Sequence, residues 1–269
     1  MTTPEPAAPP LARVVADADL SFPAQLAERF SIVVAPADAP RMLERVNIPR
    51  LIVEARTDFD PAAVVAACRA AAEESGTVIY VPAGDGHGRP EGMGEEVRQA
   101  VEAVGGRLLI SDVPETLMAG GWRAIVASEA LAAGATPDDA LQQAACAQAR
   151  LLALVEHPEL AGHSSPGHLG VPNRVVAWMR GAEFALDSAP ERRDEALRRL
   201  RDLFAEHATG TRDLRVAVLY GGVRPAAEAM GIWIERHVRP SEVHVGAITR
   251  HAATRLGPGF IGIAWTFED

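Results

Sequence analysis

Short apolar runs alternate along the chain with longer stretches rich in Ala, Leu and Arg, and this alternation limits the possible folds more than any other feature. The runs ARVVAD, SIVVAP, RLIVEA, TVIYVP and GRLLIS are β-branched and unpunctuated, as strands covered on both faces are. Between them, FPAQLAERF, PAAVVAACRAAAEES and EEVRQAVEAVG space their apolar residues at helical intervals. Strand and helix in alternation predict an α/β protein with a largely parallel, doubly wound sheet.

From about Asp112 to His157 the chain is expected to be helical, through TLMAGGWRAIVASEALAAG and TPDDALQQAACAQARLLALV. Thr136 and Pro137 stand where an N-cap and first helical residue belong, and Gly134 closes the helix before them. Past the loop EHPELAGHSSPGHLGVPN, strands are expected near RVVAWM, AEFALD, RVAVLY, EVHVGAI and FIGIAW. Helices are expected at ERRDEALRRLRDLFAEHA and PAAEAMGIWIERHV. The predicted organisation is a disordered Pro/Ala tail over 1–10, an N-terminal α/β lobe over 11–150 and a C-terminal α/β lobe over 151–269.

A chain of 269 residues, 48% hydrophobic and 23% charged, can bury a core in each of two lobes. Its net charge of −10 and lack of any basic run argue against nucleic acid as a partner. All 26 basic residues are Arg, which excludes a Lys Schiff base, a Lys general base and a phosphate loop with its own Lys. Cys68 and Cys146 fall in Ala-rich helical segments and are expected to be buried thiols. No stretch is apolar enough to insert in a membrane and the N-terminus has no signal-peptide pattern, so a cytoplasmic protein is expected.

Several local patterns imitate active sites. GDGHGRPEGMGEE fits neither a dinucleotide fingerprint nor a Lys-containing phosphate loop and reads as a glycine-rich connection. Ser164 and Ser165 lie in a Gly-rich turn without the nucleophile-elbow spacing. His157, His163 and His168 share one loop without the carboxylates or helical spacing of a zinc site, so neither a metal nor another cofactor is expected. Asp17 and Asp19 follow the first strand, where acids either cap the next helix or rim a ligand crevice. In TRHAATRLGPGFIGIAW, backbone N–H groups of Gly257 and Gly259 beside Arg250 and Arg255 make either a setting for an anionic head group or a plain Gly-Pro turn.

Three of these segments together resemble the DegV family of bacterial fatty-acid-binding proteins. DADLSFP, residues 17–23, is similar to the family's Asp-Ser-Thr-Ala-Asp-Leu-Pro; AGGWRAIVASEALAAGATPDDAL resembles its Gly-rich helix entry; RLGPGFIGIAW resembles its closing His-x-Gly-Pro-Gly-x-x-Gly. The resemblance implies a two-lobed fold: a doubly wound parallel sheet (α/β/α) followed by an α/β lobe with a mixed sheet. It further implies a carrier without chemistry of its own, with an acyl chain in an apolar tunnel, a carboxylate at the lobe interface and a separate fatty acid kinase as partner. Carried over by position, Thr57 stands for a family hydroxyl, and Arg255 or His251 for the His before Gly-Pro-Gly. The family's second-lobe Arg falls on Arg192 or Arg193. The candidate ligand set is therefore Asp17, Thr57, Arg192, His251, Arg255, Gly257 and Gly259. The alternatives are a DegV-fold interaction or regulatory module that has lost its ligand, and a hydrolase using Ser164 or Ser165 with a loop His.

Overall fold

The computed structural model describes residues 11–35, 60–84, 92–113, 115–156, 174–181, 183–208 and 213–267. The expected tail over 1–10 and the expected strand RLIVEA lie outside these residues. Strand β1 (Arg13–Asp17) leads through a 3-10 turn (Ala18–Leu20) to helix α1 (Ala24–Arg29) and β2 (Val33–Ala35). Helix α2 (Pro61–Ser75), β3 (Thr77–Val81), α3 (Met93–Glu102) and β4 (Arg107–Ile110) follow. The four strands form one parallel sheet in the order β2-β1-β3-β4. Alternate residues of β1 serve opposite faces: Val15 packs with Val64 and Cys68 of α2, while Val14 and Ala16 face the inner core. At the start of α2, Asp60 accepts from the N–H of Ala62 at 2.9 Å and Pro61 takes the first helical position.

Helix α4 (Leu117–Ala132) and helix α5 (Pro137–Cys146) come next. Thr136 caps α5 as expected, its Oγ1 accepting from the N–H of Asp139 at 3.2 Å, and Gly134 makes the break at φ 92°. The helix does not continue to His157. It ends at Cys146, and Arg150–Glu156 forms β5, a central strand of a second sheet. LLALV is apolar at every position, so period alone cannot separate a buried strand from a buried helix. All five of these residues are buried, with β6 and β10 on either side.

The second sheet continues with β6 (Arg174–Arg180), β7 (Glu183–Ser188), β8 (Leu214–Tyr220), β9 (Glu242–Ala247) and β10 (Ile261–Phe267), ordered β7-β6-β5-β10-β8-β9. It is mixed: β8 and β9 run parallel and the other neighbours antiparallel. Helices α6 (Arg193–Ala208) and α7 (Arg224–His237) supply an outer core with residues such as Leu200, Phe204 and Ile234. A further short helix, α8 (Arg250–Leu256), precedes β10. Among the described residues no helix is long and apolar enough to cross a membrane.

Helix α4 lies between the two sheets. Its Trp122 and Ile125 belong to a single core that takes Val14 and Ile79 from the first sheet and Leu151, Ala217 and Ala264 from the second. A charged network spans the same seam: Arg215 of β8 makes two hydrogen bonds of 2.8 Å to Glu129 of α4 and lies 3.2 Å from Glu242 of β9, which accepts from Arg29 of α1 at 2.6 Å. Burial pushes the Glu242 carboxyl up, but hydrogen bonds from His244 and Arg29 outweigh it and hold the group below its ordinary range.

Trp122→Ala is expected to destabilise the protein by about 3–5 kcal/mol in denaturant unfolding, whereas Val245→Ala on the exposed β9 edge should cost under about 0.5 kcal/mol. A depressed carboxyl contributes stability that is complete above the unfolded pKa and is lost as pH falls through the folded one. Glu242→Gln should therefore lower the melting temperature at neutral pH, with the gap to wild type closing as pH drops through the carboxylate range.

Candidate functional site

The first sheet reverses its strand order at β1 and β3, and the carboxyl ends of such a pair bound the crevice where α/β sheets take ligands. Asp17 stands at that end of β1, buried, and its Oδ1 accepts from the N–H of Asp19 at 3.1 Å. It caps the 3-10 turn. The turn leaves through Ser21, held in the left-handed region at φ 56° by its N–H bonding the carbonyl of Ala18.

Asp19 reaches in the other direction. Its Oδ1 accepts from Thr249 Oγ1 at 2.6 Å, and Ser21 Oγ accepts from the N–H of Thr249 at 3.4 Å. Thr249 also caps α8, accepting from the N–H of Ala252 at 3.1 Å. The exit of the first strand is thereby clasped to the entry of the last helix, with all three side chains buried. Sequence reading missed Ser21 and Thr249. A Thr directly before RHAATRL is a legible N-cap signal, but nothing in DLSFP marks Ser21 as its partner.

The Gly257-Pro258-Gly259 turn packs against the end of β5. The N–H of Gly257 donates to Ala253 O at 2.9 Å and so closes α8 instead of facing a ligand. Gly257 has φ 84°, where L side chains are strained, and a Cβ there would overlap the carbonyl oxygen of Glu156. A Cβ on Gly259 would overlap the Glu156 carboxylate itself. Arg193 Nη1 donates to that carboxylate, Arg193 Nη2 donates to Gly259 O at 2.9 Å, and Arg174 Nε lies 3.6 Å from the same carboxylate. The anion beside the turn is the protein's own Glu156.

Of the candidate cations, Arg192 does not join this group. It is exposed and pairs with Asp194 at 3.0 Å, while its neighbour Arg193 reaches the turn. Successive residues at a helix start point about 100° apart, so only one of the two can face inward. Arg255 lies half-buried in the last turn of α8. Thr57, the side chains of Arg250 and His251, and the loop holding His157, His163, Ser164, Ser165 and His168 lie outside the described residues.

Neither cysteine is in a disulfide. Cys68 is buried beneath β1, and burial first, then the charge of Asp17, pushes its thiol up to about 12, so it stays protonated and inert as a nucleophile. Cys146, expected to be buried, is exposed, because it is the last residue of α5 and falls off the packed face.

No family model and no curated protein matches the chain. Solved structures do match it over nearly its whole length. A DegV-family protein from Corynebacterium glutamicum aligns at TM-score 0.70 and 16% identity, over 97% of this chain and 99% of its own. A fatty-acid-binding DegV-family protein from Thermus thermophilus aligns at 0.75 and 18%, over 95% and 99%. DegV, a fatty acid binding protein from Bacillus subtilis, aligns at 0.75 and 16%, over 96% and 100%. The chain has the two-lobed DegV fold, with a parallel N-terminal sheet and a mixed C-terminal one.

Thr249→Val removes a hydroxyl donor from the buried Asp19 and the cap of α8, and is expected to cost about 1–3 kcal/mol. Thr249→Ser keeps both bonds and should recover most of that loss, as chemical denaturation of the two variants would measure.

Proposed function

We propose that the protein is a divergent DegV-type carrier that binds a fatty acid or similar amphipathic carboxylate between lobes formed by residues 11–150 and 151–269. It does no chemistry on its ligand and presents it to a separate fatty acid kinase. The observation that carries this reading is the match of fold, along almost the full length of both chains, to solved proteins described as fatty-acid-binding. Burial of each methylene of an acyl chain contributes about 0.8 kcal/mol. The head group needs cations or donors, because an unpaired buried charge costs several kcal/mol. Arg193 and Arg255, at the Gly-Pro-Gly end of the seam, are suited to that role.

A second reading has its own support. Glu156 is seated on the Gly-Pro-Gly turn and engages Arg193, so a ligand carboxylate would have to compete with it. This favours a DegV-fold protein that has given up its anionic ligand and serves as an interaction or regulatory module.

Native mass spectrometry and solvent extraction of the purified protein distinguish the two. A carrier should copurify with a fatty acid. Glu156→Gln, which removes the competing anion and keeps the shape, should bind oleate several-fold more tightly than wild type. If both forms stay empty across saturated and unsaturated mixtures, the carrier reading fails and the module reading stands.

A further inference from the structure

At the opposite end of β5 from the Gly-Pro-Gly turn, beside the start of β5 and the end of β6, a concavity of about 440 Å³ is lined by Glu115, Arg123, Arg150, Trp178, Arg180 and His207, among others. Its size falls in the roughly 300–1,000 Å³ range of small-molecule sites. Its charge is unlike that of the rest of the chain. The register that pairs Leu152 with Trp178 sets Arg150 level with Arg180 on adjacent antiparallel strands. Both are exposed, and like charges directly opposite each other destabilise a sheet; on its other side Arg180 is level with Glu183 of β7, while Arg150 is level with Trp265. The guanidinium of Arg150 sits 5.9 Å from the Phe267 ring, a contact that supplies no counter-charge.

Behind this pair stands Arg123 of α4, only 7% exposed. Its Nη1 donates to the carbonyls of Ala144 and Ala145 at 2.6 Å each and its Nη2 to Glu115 at 3.1 Å. Its buried Nε has no acceptor among the described residues. Glu115 supplies the lining's carboxylate and is already engaged. Three guanidiniums line the concavity with one carboxylate among them, and Glu183 of β7 stands beside Arg180.

The remaining wall is made of Trp178 and His207 with Ala149, Leu151 and Met179. Trp178, half-buried, meets the His207 ring edge-on at 4.7 Å, and His207 Nδ1 lies 2.9 Å from Leu203 O, a carbonyl to which it can only donate. Cations converging beside a flat indole suit a ligand with a charged end and a planar ring.

We propose that this concavity is a second ligand site, for a small ring-bearing organic phosphate of the nucleoside monophosphate class, with the phosphate on Arg150 and Arg180 and the ring against Trp178. It lies at the other end of β5 from the Gly-Pro-Gly turn, apart from the head-group position proposed there. The test is titration of the full chain with AMP, followed by tryptophan fluorescence and calorimetry, with ribose 5-phosphate as the comparator that lacks the base. Saturable AMP binding is expected, with quenched emission, about tenfold or more weaker in the Arg150→Ala/Arg180→Ala double variant and unchanged in Arg192→Ala. Ribose 5-phosphate should bind several-fold more weakly than AMP. Arg180→Gln alone, at an exposed position, gives the same reading should the double variant fold poorly. Absence of saturation with AMP, undiminished affinity in the variants that remove Arg180, or ribose 5-phosphate binding as tightly as AMP would each overturn the proposal.

Discussion

Everything in this fold depends on a helix that must be buried on all sides. Helix α4 has 11 of its 16 residues buried, because a sheet packs on each of its faces. An amphipathic stripe would leave one sheet facing polar side chains, so the sequence there is apolar or small nearly all round. The two sheets share one interior as a result, and loosening the helix exposes apolar surface of both at once. The charged side chain that α4 buries, Arg123, is compatible with this position because Glu115 and two carbonyls at the end of α5 meet it. Burial nonetheless pushes the Glu115 carboxyl above its ordinary range against the pull of Arg123.

Around that helix the seam is closed at both ends by polar contacts of different kinds. At the end nearer the carboxyl terminus of β1, Asp19, Ser21 and Thr249 form short-range hydrogen bonds that fix the relative position of two backbone segments. At the other, Arg215 links Glu129 and Glu242 across three elements. Such bonds add little energy beside the apolar core, but each fixes the relative position of the segments it joins.

Most of the elements could be read from the sequence because the chain switches cleanly between β-branched runs and helical spacing. The places where reading failed share a cause. LLALV follows α5 after a break of a few residues and is apolar throughout, so nothing local announces that it crosses into a sheet. Arg192 and Arg193 are adjacent and identical, and only the rotation at the start of α6 decides which faces the turn. Thr249 could be seen as a cap, but its bond to Asp19 links residues 230 positions apart and depends on how the two sheets dock. Asp17 was legible as far as its local role goes: an acid after a strand, capping the turn that follows.

The Gly-Pro-Gly turn is the strongest motif in the chain, and its physical meaning here differs from what the motif alone suggests. Both glycines are required by close packing: any Cβ at 257 or 259 would collide with Glu156 at the end of β5. The same sequence would be demanded whether or not a ligand ever approached, because the backbone of the turn has to lie flat against a neighbouring strand. What the turn offers a ligand is decided by the residue it lies on. With a carboxylate at position 156, the Arg193 guanidinium is already engaged and the local field is that of a closed ion pair. With a neutral side chain of similar size, the identical backbone would present an unneutralised cation at the lobe interface. A single side chain on β5 thus sets the charge that the turn presents.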